Sequence, residues 1–184
     1  YLNEYKKAEE LYNSEKATAE TDSLALKFYQ NTIKLLGEKN VDDSVFFDAL
    51  MKSGILTMTA HQDSLALYYF AEAISLQKST RSIPDSLLFR SYLFAGSSLY
   101  NLYNYDSAAY FYKQAEALQQ KYPTIPEAER LYNKSGVLYY ETGDYKKSIT
   151  YFRKALSIVE AASGDNQYFI INYKNNIASA LRKL

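Results

Sequence analysis

Small and apolar positions along the chain recur with a period near 41 residues. Gly54, Gly96 and Gly136 stand inside helix-like stretches, 42 and 40 residues apart. A glycine within a helix costs about 1 kcal/mol relative to alanine, so three at one spacing imply a packing reason. The spacing continues in Ala66, Ala108 and Ser148, and again in Ala73, Ala115 and Ala155. Phe70, Tyr112 and Phe152 lie between the members of each pair. Ala25, Tyr29 and Thr32 hold the equivalent places earlier, and Ala178 follows Gly136 by 42 residues. The pattern is an internal repeat.

Each unit reads as two helices, with apolar residues at three- and four-residue spacing. In the fourth, residues 127–142 are followed by a break at Gly143-Asp144 and a second helix over 145–162. Ile149, Phe152, Ala155, Leu156 and Val159 share one face of that helix, and Gly143 suits the left-handed conformation that closes the one before. The third unit repeats this as 86–102, a turn at Tyr103-Asn104-Tyr105, and 106–120. The second has 45–59, a His61-Gln62 turn, and 63–77. In the first, 21–36 is clear and the preceding helix is weakly patterned. Ser82-Ile83-Pro84-Asp85 and Thr124-Ile125-Pro126-Glu127 look like one helix-start device used twice, a hydroxyl cap with an acid three places on. Asn40 with Asp43 reads as a third version. Asp22-Ser23, Asp63-Ser64 and Asp106-Ser107 read as caps of second helices. The predicted units are 1–40, 41–82, 83–124, 125–164 and a partial 165–184, in one all-α solenoid of about nine helices. A lone hairpin cannot bury its apolar face, so the units stack.

Composition narrows the chemistry. The chain has 184 residues, 47% hydrophobic and 23% charged, as expected of a folded domain. Lys+Arg and Asp+Glu both number 21, so the basic footprint of a nucleic-acid binder is missing. Cysteine is absent, which removes disulfides, thiolate metal sites and thiol nucleophiles and leaves the compartment open. The single histidine, His61, falls in a turn and argues against a histidine zinc site or a triad. Asp42-Asp43 has no partner for a metal, and no phosphate-cradling loop or nucleophile elbow occurs, so no cofactor is expected. No apolar run approaches the roughly 18 residues of a membrane span, and the charged opening does not read as a signal peptide. A start at Tyr1 is expected of a chain that has lost an upstream segment.

Tyr132, Gly136, Tyr139, Gly143-Asp144-Tyr145, Ser148, Phe152 and Ala155 resemble the signature of the tetratricopeptide repeat. The third unit matches through Tyr92, Gly96, Leu99, Tyr105, Ala108, Tyr112 and Ala115. The second matches through Leu50, Gly54, Ala66, Phe70 and Ala73, with His61-Gln62-Asp63 in place of the usual turn. Units of 40 to 42 residues are similar to the long variant of kinesin light chains and of many bacterial signalling proteins. The resemblance implies a right-handed superhelical α-solenoid. It also implies a non-enzymatic module that holds a peptide or protein segment on a concave face lined by the first helix of each unit. Long arrays also precede kinase, transcription-regulator or caspase-like protease domains, so the alternative is a sensor segment that contacts another domain of its parent chain.

Mapped onto this chain, the concave lining comprises Asp48, Met51, Lys52, Ile55 and Met58, then Arg90, Leu93, Phe94, Ser97, Tyr100 and Asn101. Arg130, Asn133, Lys134, Val137, Tyr140 and Glu141 follow, then Asn172, Asn175, Asn176, Ser179, Arg182 and Lys183. The face grades from apolar to amide-rich and basic. Asparagine can pair with any peptide backbone, and arginine and lysine hold carboxylates. An acidic or C-terminal peptide segment is the partner this grading implies, the alternative being a merely solvated face. Of the 20 tyrosines, most fall on packing places, but Tyr100 and Tyr140 project into the groove. Ile170, Ile177, Leu181 and Leu184 form the stripe expected to pack on the preceding unit. The helix carrying them is either a cap or the first half of another hairpin in a longer parent chain, the latter being favoured.

Overall fold

The computed structural model describes residues 1–37, 43–80, 82–162 and 164–184. The Asn40 cap and Asp42 lie outside the described residues. Within them the chain forms nine α-helices and no strand. These are α1 (Leu2–Tyr12), α2 (Ala19–Gly37), α3 (Asp43–Thr59), α4 (Asp63–Thr80), α5 (Asp85–Asn101), α6 (Tyr105–Lys121), α7 (Ala128–Glu141), α8 (Tyr145–Ala161) and α9 (Gln167–Leu181). Each helix packs on its neighbours in sequence, and α3–α5, α5–α7 and α7–α9 also touch. Helices one unit apart therefore approach each other on the odd-numbered side, which makes that side the concave one.

The repeated glycines are explained by contact. A Cβ placed on Gly54 would lie 2.5 Å from the Phe70 ring, on Gly96 2.6 Å from Tyr112, and on Gly136 2.5 Å from Phe152. Each ring comes from the second helix of the same hairpin and is nearly or fully buried. Close backbone approach is used a second time at the fourth crossing, where Ser148 Oγ donates to the Gly136 carbonyl at 2.8 Å. The first hairpin, weakly patterned in sequence, buries Ala8, Ala25 and Tyr29 fully, in a cluster completed by Ala49 and Leu56 of α3.

The turns inside hairpins share one geometry. His61, Tyr103 and Gly143 occupy equivalent places, and all have positive φ, at 57°, 60° and 81°. In the second unit His61 N–H donates to Met58 O at 3.0 Å and Gln62 N–H to Thr57 O at 2.8 Å, the paired bonds of a left-handed helix close. Tyr103 and Asn104 repeat this with Tyr100 and Leu99. A side chain in that conformation is strained. Tyr103 is 79% exposed and has little packing to lose. Tyr103→Gly is therefore expected to raise the unfolding free energy by roughly 0.5–1 kcal/mol, net of the freedom glycine adds to the unfolded chain. Gly143→Ala should lower it by about 1 kcal/mol. Urea denaturation reads both, and a Tyr103→Gly midpoint below wild type would refute the strain.

Three local expectations need correction. The Ser82 and Thr124 devices are not capping boxes. α5 starts after Pro84 and α7 after Glu127, and neither has a side-chain cap. The reason is competition: Ser82 donates to Asp43 at 2.8 Å, Asp85 binds Lys121 at 2.7 Å, and Glu127 is drawn to two arginines. What the two segments share is Ile83 and Ile125, both buried. Second, Asp22 and Asp106 do not cap their helices. Thr18 caps α2 by exchanging bonds with Thr21, and Asn104 caps α6 by accepting from Ser107 N–H at 3.3 Å. Third, the buried stripe of α9 runs through Ile170, Tyr173, Ile177 and Ala180, whereas Leu181 and Leu184 are 50% and 65% exposed. Tyr173 packs with Tyr132 of α7 and with Ala155 and Val159 of α8, which sets the face that α9 buries.

Candidate functional site

The odd-numbered helices present two regions of opposite electrostatic state. At the N-terminal end, Lys52 on α3 reaches Glu9 Oε1 on α1 at 2.6 Å and Asp48 Oδ2 at 2.8 Å. Tyr29 donates to Glu9 and Tyr5 to Asp48, and the ammonium lies 5.4 Å from the Tyr12 ring. Burial alone would raise the Glu9 carboxyl, but the bonds from Lys52 and Tyr29 outweigh it and hold it below its ordinary value. Every charge in this cluster is answered from within the protein.

The C-terminal end is different. Arg90 Nε on α5 lies 3.3 Å from Glu127 Oε2, a charge pair without the alignment of a hydrogen bond. Arg130 on α7 binds Glu127 Oε1 at 3.1 Å, and both guanidinium groups lie over the Phe94 ring, at 5.5 and 5.8 Å. Lys134, one turn along α7, is half-buried and has no carboxylate within 4 Å among the described residues. Desolvation lowers its ammonium below the ordinary lysine value, the nearby Arg130 adds to this, and distant Asp63 only partly offsets it.

Arg130 and Lys134 separate two cavities. One, of about 190 Å³, is lined by Met58, Thr59, Ser97 and Asn101 with Leu93 and Phe94 as its floor. The other, of about 310 Å³, is lined by Asn133, Tyr168, Phe169, Asn172, Tyr173 and Asn176. Asn176 Nδ2 donates to Asn133 Oδ1 at 3.1 Å, tying α9 to α7 across the groove. A larger cavity lies away from this face, between α6, α7 and α8, but its carboxylate Glu116 is already taken by Tyr151 and Lys154.

The residues singled out from sequence divide accordingly. Arg130, Asn133, Lys134, Asn172 and Asn176 converge on the two cavities. Asn101 joins them, although its amide donates to Asp63 at 2.8 Å. Arg90 stands at a separate apolar pocket with Met51 and Leu87. Tyr100 packs on Tyr105 and Tyr140 on Tyr145, each with ring centroids 5.5 Å apart, and Tyr140 also lines a further cavity with Val137, Glu141, Asn176 and Ser179. Asn175 is exposed, and Arg182 bonds only Ser179 of its own helix, at 3.2 Å; neither lines these cavities. Leu93, Phe94 and Ser97 are at most 5% exposed and form floor, not open lining. Tyr168 and Phe169 were missed by sequence reasoning. The signal was available, since they stand 42 residues after Pro126 and Glu127.

Residues 127–161 match the family model for the tetratricopeptide repeat. The chain carries a tetratricopeptide repeat. This repeat is the α7–α8 hairpin, and the glycine–aromatic crossings carry its pattern into the two hairpins before it. No curated protein matches the sequence significantly. Among solved structures, the fold is similar to that of BtubC (BKLC) from P. vanneervenii, with TM-score 0.78 and 14% identity over 99% of this chain and 82% of that one. A putative kinesin light chain from Podosopora anserina, with nearly identical TPR-like repeats, gives TM-score 0.75 at 10% identity, over 99% and 85%. The Rap conjugation gene regulator of plasmid pLS20, solved with the Phr* peptide, gives 0.68 at 17% over 98% of this chain and half of its own. At these identities the likeness is one of fold: a solenoid of tetratricopeptide-type hairpins.

Proposed function

We propose that the chain is a non-enzymatic interaction module that holds an acidic peptide segment of a protein partner on its concave face, between α5, α7 and α9. The observation that carries this reading is Lys134, a partly desolvated cation with no carboxylate within 4 Å among the described residues, placed between two open cavities. A buried charge without a partner is costly, and a carboxylate arriving from outside relieves that cost. Asn133, Asn172 and Asn176 supply donors and acceptors suited to an extended main chain beside it.

The test is fluorescence anisotropy with a fluorescein-labelled decapeptide of glycine and serine carrying three aspartates. Lys134→Glu is expected to weaken binding at least tenfold, and Lys147→Glu, on the exposed surface of α8, to leave it unchanged. Binding should fall as salt rises, as charge pairing at a partly open site requires. Equal affinity in the Lys134→Glu variant would overturn the reading. One observation favours a regulatory setting for this module: a Rap regulator twice the span of this chain has the same fold and was solved with a peptide. In that setting the bound segment would report to another domain of the parent chain.

A further inference from the structure

The repeat register shows what is missing beside Lys134. Glu127 and Phe169 are 42 residues apart, the same shift as Gly136 to Ala178, Glu127 just before α7 and Phe169 in the first turn of α9. Arg90 and Arg130, like Phe94 and Lys134, are 40 apart, the same shift as Gly96 to Gly136. At the junction of α5 and α7 the incoming helix therefore brings a carboxylate, Glu127, to meet Arg90. At the junction of α7 and α9 the equivalent place holds Phe169 instead. Arg130 has no acid from α9 and turns back three residues to Glu127, sharing that carboxylate with Arg90. Lys134, standing where the previous unit has a buried phenylalanine, has no carboxylate within 4 Å among the described residues.

The replacement is an aromatic shelf. Tyr168 is 72% exposed and Phe169 43%, with ring centroids 5.5 Å apart at 78°. Phe169 also rests against Tyr173, at 6.2 Å. Both exposed rings line the same cavity as Arg130 and Lys134. Exposed aromatic rings beside a desolvated cation offer a dry contact for an apolar side chain next to the point where a carboxylate is wanted.

We infer that the ligand of this groove is an acidic peptide with an aromatic residue adjacent to the carboxylate, the acid binding Lys134 and Arg130 and the ring packing on Tyr168 and Phe169. This rests on the peptide-binding reading above and specifies its partner. The carboxylate replaces the acid that the register leaves out of α9. The aromatic neighbour covers the shelf put in its place.

Two labelled decapeptides in a glycine-serine background separate this inference from the broader reading, one carrying Asp-Gly-Asp and the other Asp-Phe-Asp. Wild-type protein is expected to bind the aromatic peptide about tenfold more tightly, the scale of one well-packed ring. Tyr168→Ala with Phe169→Ala should abolish that preference, so that the variant binds the two peptides equally, whereas Lys147→Glu on α8 should keep the tenfold ratio. Phe169→Glu, which restores the register acid, should weaken both peptides by supplying an internal partner to the cations. Both positions are exposed, and circular dichroism checks that the variants keep their helix. Equal binding of the two peptides to wild type would overturn this inference while leaving the acidic-peptide reading intact. Binding of neither peptide would overturn both.

Discussion

Gly136→Leu is expected to destabilise the protein by about 3 kcal/mol, at the upper end of overpacking costs. The first added atom alone would sit 2.5 Å from Phe152 Cδ1 and 2.6 Å from Cε1. Phe152 is 2% exposed, so its ring has no open direction to move into. The two helices must separate instead, which also stretches the Ser148–Gly136 hydrogen bond. For a chain of this size the thermal midpoint should fall by roughly 10 °C. A double variant, Gly136→Ala with Phe152→Leu, should lose less than the sum of its single changes, because the smaller side chain vacates the space the methyl needs. An unchanged midpoint for Gly136→Leu would show that the crossing is not tight.

Lys52→Ala is the second large effect, expected to cost about 2 kcal/mol near neutral pH. The change leaves Glu9 and Asp48 facing each other without their shared cation. The pH dependence follows from the two directions of shift. Glu9 is held below its ordinary value, so its contribution is present above the unfolded carboxyl value and is lost as pH falls through the folded one. Lys52 is raised, bonds to Asp48 and Glu9 overcoming the desolvation that alone would lower it. Its contribution is present below its unfolded value of 10.5 and is lost as pH climbs through the folded one. The deficit of the variant should therefore be largest between these limits and shrink below about pH 4, where wild type loses the Glu9 term too. Urea denaturation at pH 7 and pH 3.5 measures it, and a deficit that grows on acidification would refute the assignment.

Much of the architecture was legible because its cause is local and repeated. Gly54, Gly96 and Gly136 are readable as crossings since nothing but close approach explains glycine at that spacing inside helices. The turn at His61 and Tyr103 was placed correctly, but its strain was not visible, because the sequence offers glycine at only one of the three equivalent sites. The groove was half legible. Arg130, Asn133, Lys134, Asn172 and Asn176 were named from helical projection and converge on the two cavities. Tyr100 and Tyr140 project to the same face, and each also packs on the tyrosine that begins the next helix, a contact set by side-chain direction at the turn. Leu93, Phe94 and Ser97 project into the groove as well, but α3, α5 and α7 draw close enough to bury them.

The hairpin, its period, the crossing points and the basic, amide-rich character of the C-terminal helices are written in the chain, because each depends on residue type at fixed spacing along one helix. Which charges are answered depends on how the units pack. Lys52 and Lys134 are both lysines on the concave side of a first helix. Lys52 is met by Glu9, 43 positions away on α1, whereas α9 brings Phe169 to the place where Glu127 brings a carboxylate one unit earlier. Whether a cation is neutralised depends on what a neighbouring unit carries to within a few ångströms, and that is fixed by how the hairpins stack.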